Sequence, residues 1–317
     1  MIDFRYHLVS IVAVFLALAL GIILGSTTLS QSVTAELKKQ ASDAARNSQQ
    51  LRQEQRRLEA QRDGEEQFAQ TLAAELVADR LKGQSVVLVE TPGASNDSIE
   101  QLGELAKAAG ATVTGRVTIQ KKFLDDDQVG TVDELAAQLR PEAAAAPDGG
   151  PYDRAGAVLA SALVTRDPAR SGREDTEGGA VLNAFRQAGY LTTTGRPGQH
   201  ATLAVVVAPS TPYQYEGADA DNRALISLAA ALDGAGRGAV VGGPSTAAQE
   251  GGLIAALRDS DVRKNVSSID MVDTASGRVV AVLALQNEIA GKSGQYGTGS
   301  GVSGYLPSPV PSASKSG

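Results

Sequence analysis

LVSIVAVFLALALGIIL, residues Leu8–Leu24, is the longest apolar run of the chain and carries no charged side chain. Ser10 is its only polar residue. A bilayer core about 30 Å thick is crossed by about 20 apolar residues in a helix, and the uncharged flanks of this run supply the extra length. The sequence therefore predicts one membrane span within residues 1–29 and places almost all of the remaining chain on one side of it. Residues taken to mark the span are Leu8, Phe15 and Leu24.

Two other interpretations of this segment stay open. A cleaved signal peptide has a basic N-terminal region, a shorter apolar core and an A-x-A-like site, whereas the A-x-A found here, Ala17–Ala19, lies inside the apolar core. A buried core helix would have a polar face, which this segment lacks. Gly21 and Gly25 form a G-x-x-x-G pair, a pattern that lets two membrane helices pack closely.

Positive charges around the span are sparse and give a weak orientation signal. Arg5 is the firm positive charge on the short side, whereas Lys38 and Lys39 follow a long uncharged gap and stand beside Glu36. Cytoplasmic flanks of membrane spans carry the excess of Lys and Arg. This distribution favours a cytoplasmic N-terminus and an extracytoplasmic C-terminal part, in the cell envelope.

Composition limits the function classes. The chain has 317 residues, a formal net charge of −7 and no basic segment of the kind that binds nucleic acid. It has no Cys, which excludes disulfides and thiolate metal sites, and it has only 2 Met and 2 His. No cofactor follows from these residues, and no catalytic residues stand out, so we expect a protein that is not an enzyme.

Residues 30–82 are polar, contain no Pro and favour a helix. Apolar side chains recur there at every seventh position, with Glu65 interrupting the series. The companion line, three residues earlier, is largely polar, so the pattern supplies half of a coiled-coil seam. We expect a helical stalk that forms a weak homodimer or binds a partner's coiled coil; the alternative is a single solvated helix with charge pairs. The seam residues are Leu37, Ala44, Leu51, Leu58 and Leu72.

Residues 83–290 alternate short Val- and Leu-rich runs with amphipathic segments. This alternation predicts a mostly parallel, three-layer α/β domain. The stretch 142–151 is interpreted as a loop within it, and the Gly-, Ser- and Pro-rich residues 291–317 as a tail that is disordered at its end. Strands are expected at 84–90, 111–120, 190–194, 201–208, 238–241, 266–272 and 278–285, and helices at 98–109, 132–139, 152–164, 177–188, 219–232 and 246–257.

Few residues point to chemistry. The first strand–helix turn lacks G-x-G-x-x-G and a P-loop lysine. The turn Gly242, Gly243, Ser245 and Thr246 is the better candidate, because Ser245 could cap a helix whose amides bind an anion; an ordinary tight connection is the competing interpretation. Asp125–Asp127 offers carboxylates to a hard cation but fits a solvated acidic turn better. His200 is expected in a surface loop.

Both ends of the chain resemble a known family. MIDFRYHLVSIVAVFLALALGIILGS at the N-terminus and Gly294–Gly299, GQYGTG, are similar to the actinobacterial copper-transporter (MctB-like) envelope proteins. The resemblance implies a role in copper efflux or homeostasis, and the mycobacterial members are described as an outer-membrane pore. Relatives also resemble an envelope partner in a complex that controls cell separation through a cell-wall hydrolase. It carries over no copper ligands, so the metal-binding residues stay unknown and copper is implied by resemblance alone.

The residues depart from a pore in two respects. One apolar helix cannot enclose a channel by itself, and the sequence has no repeated series of alternating ten-residue strands that would predict a barrel. Copper(I) prefers Cys and Met, and copper(II) prefers His, yet the chain is poor in all three. Three hypotheses therefore stand: a single-pass envelope protein in copper transport, a membrane-anchored coiled-coil scaffold for envelope partners, and an anion-binding or enzymatic α/β domain.

Overall fold

The computed structural model describes residues 4–140, 149–173 and 175–310, without the side chains of residues 26–35. Most of the loop predicted at 142–151 and the last seven residues of the chain lie outside this description. Contacts divide the chain into two units, Met1–Glu65 and Glu66–Gly317.

The first unit is the larger part of one helix, α1, which runs from Phe4 to Val77. Its beginning, Phe4–Gly25, is the one helix in the described parts of the chain that is long and apolar enough to cross a membrane. None of that window is buried, so the interpretation as a core helix of a soluble protein is wrong. The surroundings of Gly21 and Gly25 are open, since a Cβ at either position would meet nothing within 4 Å.

The leucine series on α1 faces solvent along the first unit. Leu37, Leu51 and Leu58 are 58%, 66% and 53% exposed, and Ala44 is exposed as well. From Glu66 onward the helix belongs to the second unit, where Leu72 is half-buried. The sequence predicted a stalk as far as residue 82. The structure instead places the last turns of α1, from Glu66 to Val77, in the α/β unit.

The second unit is built on a mixed sheet. The described residues contribute seven strands to it: β1 (Ser85–Glu90), β2 (Thr112–Ile119), β3 (Leu191–Gly195), β4 (Leu203–Val207), β5 (Ala239–Gly242), β6 (Ser267–Ile269) and β7 (Gln295–Tyr296). Their order is β3-β2-β1-β4-β5-β6-β7. All neighbouring strands pair in parallel except β2 and β3, which pair antiparallel. The expectation of a mostly parallel sheet is confirmed.

Helices cover both faces of this sheet. The central strands β1 and β4 are apolar and buried almost throughout, as strands covered on two sides are. Besides α1, the helices are α2 (Asn96–Ala108), α3 (Lys121–Leu124), α4 (Val129–Leu139), α5 (Pro151–Leu163), α6 (Thr176–Gln187), α7 (Ala218–Ala235), α8 (Leu253–Asp259) and α9 (Ala275–Ile289), with 3₁₀ turns at Asp126–Gln128, Ser245–Ala248 and Asp261–Lys264. One apolar cluster packs α3 to α8 on one face, and a second packs α2, α9 and the end of α1 on the other.

The strand predicted at 278–285 is wrong, because this segment lies inside helix α9. The helix is buried around almost its whole circumference, so its sequence is apolar without a helical period. Periodicity alone cannot distinguish such a short apolar helix from a buried strand. The signal for a helix is Thr274, whose side chain accepts a hydrogen bond from the backbone N–H of Gly277 at 3.1 Å.

Two further expectations need correction. The helix predicted at 246–257 is broken into a 3₁₀ turn and α8, since Gly251 adopts a φ of +77° and Gly252 precedes α8. The tail predicted from residue 291 begins with ordered chain, because Gln295–Tyr296 forms β7 and adds to the sheet edge beside β6.

Candidate functional site

The glycine turn after β5 is closely packed. Gly243 contacts the neighbouring loops so tightly that a Cβ there would lie 2.9 Å from the Cβ of Ala208. Thr246 donates its hydroxyl to the carbonyl of Ser210 at 2.5 Å. Ser245 does not cap a long helix: the residue before the 3₁₀ turn is Pro244, which makes no side-chain cap. Anion binding at Gly242–Thr246 stays a prediction. The long helix whose N-terminal amides were expected to bind the anion is replaced by a 3₁₀ turn.

The crevice between β1 and β4 is also filled by the chain itself. The order of connections reverses between these strands, and α/β sheets commonly bind ligands at the carboxyl ends of such a pair. Here Ser210 donates its N–H to the carbonyl of Gly93 at 2.9 Å, and Thr91 donates its hydroxyl to the carbonyl of Val207 at 2.7 Å. Tyr213 closes the loop by donating to the carbonyl of Pro92 at 2.8 Å.

The acidic turn Asp125–Asp127 lines a cleft of about 520 Å³ at the carboxyl edge of the sheet. Asp125 caps the 3₁₀ turn by accepting the N–H of Asp127 at 3.1 Å. Asp221 lies in the same cleft, accepts a hydrogen bond from Tyr215, and has a pKa raised by burial. Within the described residues, no group of three or more His, Asp or Glu side chains is arranged to hold a metal ion.

His200 is buried rather than in an exposed loop, which corrects the expectation from the sequence. It is 1% exposed, and its Nε2 lies 3.0 Å from the carbonyl oxygen of Ser161 and 3.4 Å from the carboxylate of Asp175. Its Nδ1 is buried and has no hydrogen-bond partner among the described residues. The signal that could have placed it inside is its position directly before the strongest apolar strand.

The GQYGTG segment forms a buried ionic clasp with Arg258 and Asp270. The guanidinium donates to Asp270 at 2.8 Å and to the carbonyl of Tyr296 at 2.9 Å. Asp270 in turn accepts the backbone N–H groups of Thr298 and Gly299, each at 2.9 Å. The residue between Tyr296 and Thr298 must be glycine. Gly297 has a φ of +132°, and a Cβ there would lie 1.9 Å from Asp270 Oδ1.

At the opposite, amino edge of the sheet lies a cavity of about 390 Å³, here called the amino-edge cavity. Glu288, 6% exposed, lines it, and its Oε1 accepts the N–H of Ser267 at 2.9 Å and also the Ser267 hydroxyl. Burial raises the pKa of Glu288 to about 8, with the nearby charge of Asp233 acting in the same direction. The other charged groups of the wall are Asp233, Arg166, Arg237 and Lys264.

None of these cavity residues stands out in the sequence. They come from four parts of the chain that are far apart: the segment after α5, the end of α7 with the residues after it, the segment before β6, and the end of α9. In the sequence each one looks like an ordinary solvated charge. Glu288 gave the best available signal, since it is a carboxylate close behind a continuous apolar run. The interpretation of that run as a strand hid its position at the end of a buried helix.

The family of the chain follows from comparison with known proteins. A family model described as "Copper transport outer membrane protein, MctB" matches residues 1–307. The protein named copper transporter MctB of Mycobacterium tuberculosis is 30% identical over 314 residues, which cover 95% of this chain and 98% of the relative. The protein of that name from Mycobacterium leprae is 30% identical over 315 residues, with the same coverage. The match takes in the apolar helix, the α/β unit and the glycine-rich clasp, and the chain belongs to the MctB family of copper transport outer membrane proteins.

Proposed function

We propose that this protein is a membrane-anchored envelope protein that acts in copper efflux or homeostasis as one component of an assembly. The observation that carries the proposal is the family match over residues 1–307, which includes both the apolar helix and the α/β unit. The relatives with near-complete mutual coverage are named copper transporters. The apolar helix Phe4–Gly25 acts as a retained anchor, and the α/β unit lies outside the cytoplasm.

The assembly part of the proposal rests on the chemistry of the side chains. Soft thiolate and thioether ligands hold copper(I), and imidazoles hold copper(II). The chain has no Cys, 2 Met and 2 His, and His200 is buried and engaged with Ser161 and Asp175. One candidate span in the described residues also cannot enclose a channel alone. Partner chains or further copies therefore supply the conducting path.

The test is deletion of the gene in the source organism, followed by growth at increasing copper and measurement of cell copper. We expect the deletion strain to be inhibited at lower copper and to accumulate the metal, and expression of the full chain to reverse both effects. Zinc serves as the control metal and should inhibit both strains equally. Unchanged growth and unchanged copper content in the deletion strain would exclude the proposal.

A second candidate function is a non-enzymatic scaffold, favoured by the exposed leucines on α1. Leu37, Leu51 and Leu58 stay more than half exposed on a helix whose last turns are embedded in the α/β unit. Such a line of apolar side chains suits a partner helix. Partners of this kind include an envelope complex that controls a cell-wall hydrolase. Deletion would then give unseparated cells at ordinary copper, whereas the transport proposal gives a defect only at raised copper.

A further inference from the structure

The amino-edge cavity is lined by the ends of helices and the segments that lead into strands. Glu288 is on the last turn of α9, and Arg237 lies between α7 and β5. Lys264 precedes β6, and Arg166 follows α5. The volume of about 390 Å³ falls in the range of small-molecule sites, about 300–1,000 Å³. The cavity is separate from the closed crevice at the carboxyl ends of β1 and β4.

Three cationic side chains line the amino-edge cavity, in a chain whose net charge is −7. Arg166, Arg237 and Lys264 supply three full positive charges, against the carboxylate of Asp233. The carboxyl ends of α7 and α9 each add about half a negative charge. Lys264 is also paired with Asp261 at 2.7 Å. The cations can attract an anion only while Glu288 is neutral, since an ionised Glu288 would add one more negative charge to the wall. Burial raises the pKa of Asp233.

Local hydrogen bonds account for only part of the donor capacity of these cations. Arg166 donates its Nε to the carbonyl of Gly236 at 2.7 Å, which offsets the end of α7. Arg237 donates one nitrogen to the side chain of Gln84 at 3.3 Å. Each guanidinium has five N–H donors, so several on each side chain are available to a ligand.

Glu288 adds a neutral donor to this wall. Its Oε1 accepts both hydrogen bonds from Ser267, so the proton of the acid form belongs on Oε2. The Glu288 side chain fits here because residue 238 is glycine: a Cβ at Gly238 would lie 2.3 Å from the Cβ of Glu288. A buried carboxylic acid next to arginine and lysine donors is suited to the oxygens of an anion.

We propose that the amino-edge cavity binds a small oxyanion of the phosphate, sulfate or carboxylate class, held by Arg166, Arg237 and Lys264 and by a hydrogen bond from the Glu288 acid. This site is independent of copper transport, and its test does not involve copper. It differs also from the anion turn expected at Gly242–Thr246, which lies at the other edge of the sheet.

The experiment is equilibrium dialysis of the full chain in detergent against radiolabelled sulfate at constant ionic strength. Sulfate keeps its charge over the pH range used, so any pH effect belongs to the protein. We expect saturable binding that Lys264→Gln weakens about tenfold, the worth of one charge-assisted hydrogen bond. Lys107→Gln is the matched control, because Lys107 pairs with Glu104 at 2.7 Å just as Lys264 pairs with Asp261 at 2.7 Å.

The pH profile tests Glu288 directly. Wild-type binding should fall several-fold from about pH 7 to about pH 9, because ionised Glu288 repels the anion and has lost its donor proton. Glu288→Gln keeps a hydrogen-bond donor at this position but has no carboxyl group to ionise, so it should bind sulfate with less dependence on pH than the wild type. Absence of saturable binding, equal effects of Lys264→Gln and Lys107→Gln, or a pH profile unchanged by Glu288→Gln would each overturn the proposal.

Discussion

Arg258 shows what one buried charge does in this fold. It is 2% exposed and joins β6, β7 and the following turn through Asp270, Ser268 and two backbone carbonyls. Removing one partner of such a pair leaves the other charge buried without compensation, which costs about 3–5 kcal/mol. We therefore expect Arg258→Met to lower the free energy of unfolding by that amount. This free energy is measured by urea unfolding of the full chain in detergent, monitored by the near-ultraviolet circular dichroism of the tyrosines.

The control for this prediction is an exposed ion pair from the same region. Lys264 and Asp261 pair at 2.7 Å, but their side chains are 71% and 94% exposed. Exposed pairs contribute about 0–1 kcal/mol, so Lys264→Met should leave stability nearly unchanged. A similar loss in both variants would show that the clasp is not held by buried charge.

Glu288 makes stability depend on pH in a direction opposite to that of most carboxylates. Its pKa is raised from 4.5 in the unfolded reference to about 8 in the fold. Between these values the folded state binds more protons than the unfolded state, so stability falls as the pH rises through this window and then levels off. The loss is on the order of a few kcal/mol.

The variant Glu288→Gln cannot titrate and should lose this dependence. We expect it to match the wild type near about pH 4.5 and to be more stable than the wild type at about pH 9. Urea unfolding at a series of pH values provides both curves. Parallel curves for the two proteins would show that the buried carboxyl is not the group that titrates.

At the scale of elements, the sequence predicted most helices and strands because their patterns are local. β1 and β4 are continuous Val and Leu runs, and α2 shows a helical period ended by Gly110. α9 was missed since burial on all sides removes its period. β7 was missed because Gln295 and Tyr296 pair with β6 through backbone and buried polar contacts rather than through an apolar run.

Glu66 links the end of α1 to the beginning of α9. Both of its carboxylate oxygens accept the N–H of Ala275, at 2.9 and 3.0 Å, and it pairs with the buried Arg278 at 3.5 Å. A carboxylate at a helix N-terminus is favoured by the helix dipole. We expect Glu66→Ala to lower the free energy of unfolding by about 1–3 kcal/mol, measured by urea unfolding.

Glu65→Ala provides the comparison on the adjacent residue. Glu65 is exposed and accepts one hydrogen bond, from Gln61 at 2.9 Å on the same helix. The two substitutions change helix propensity equally, so the difference between them isolates the contacts of Glu66. Equal losses would mean that the contact with α9 does not stabilise the unit.

At the scale of the molecule, the sequence predicted the order of its parts but not its sites. The apolar run, the polar helix and the α/β alternation each have a pattern of their own. The Arg258–Asp270 clasp and the amino-edge cavity are assembled from residues that only the sheet topology brings together. GQYGTG illustrates the difference, because it was recognisable as a string, while its physical role, holding Asp270 by backbone N–H groups, required the fold.

The exposed leucines of α1 offer a surface on which another helix could pack. If they form a seam, two aspartates there would place charges in the contact and abolish association. We expect the full chain to form chemical cross-links in membranes, to itself or to a partner, and the double variant Leu51→Asp/Leu58→Asp to lose them. Gln49→Asp/Gln53→Asp adds the same charge on the opposite side of the helix and should keep them. Cross-links that survive in the leucine variant would place the association elsewhere, with the Gly21 and Gly25 face of the apolar helix as the next surface to change, because close helix packing there needs no seam.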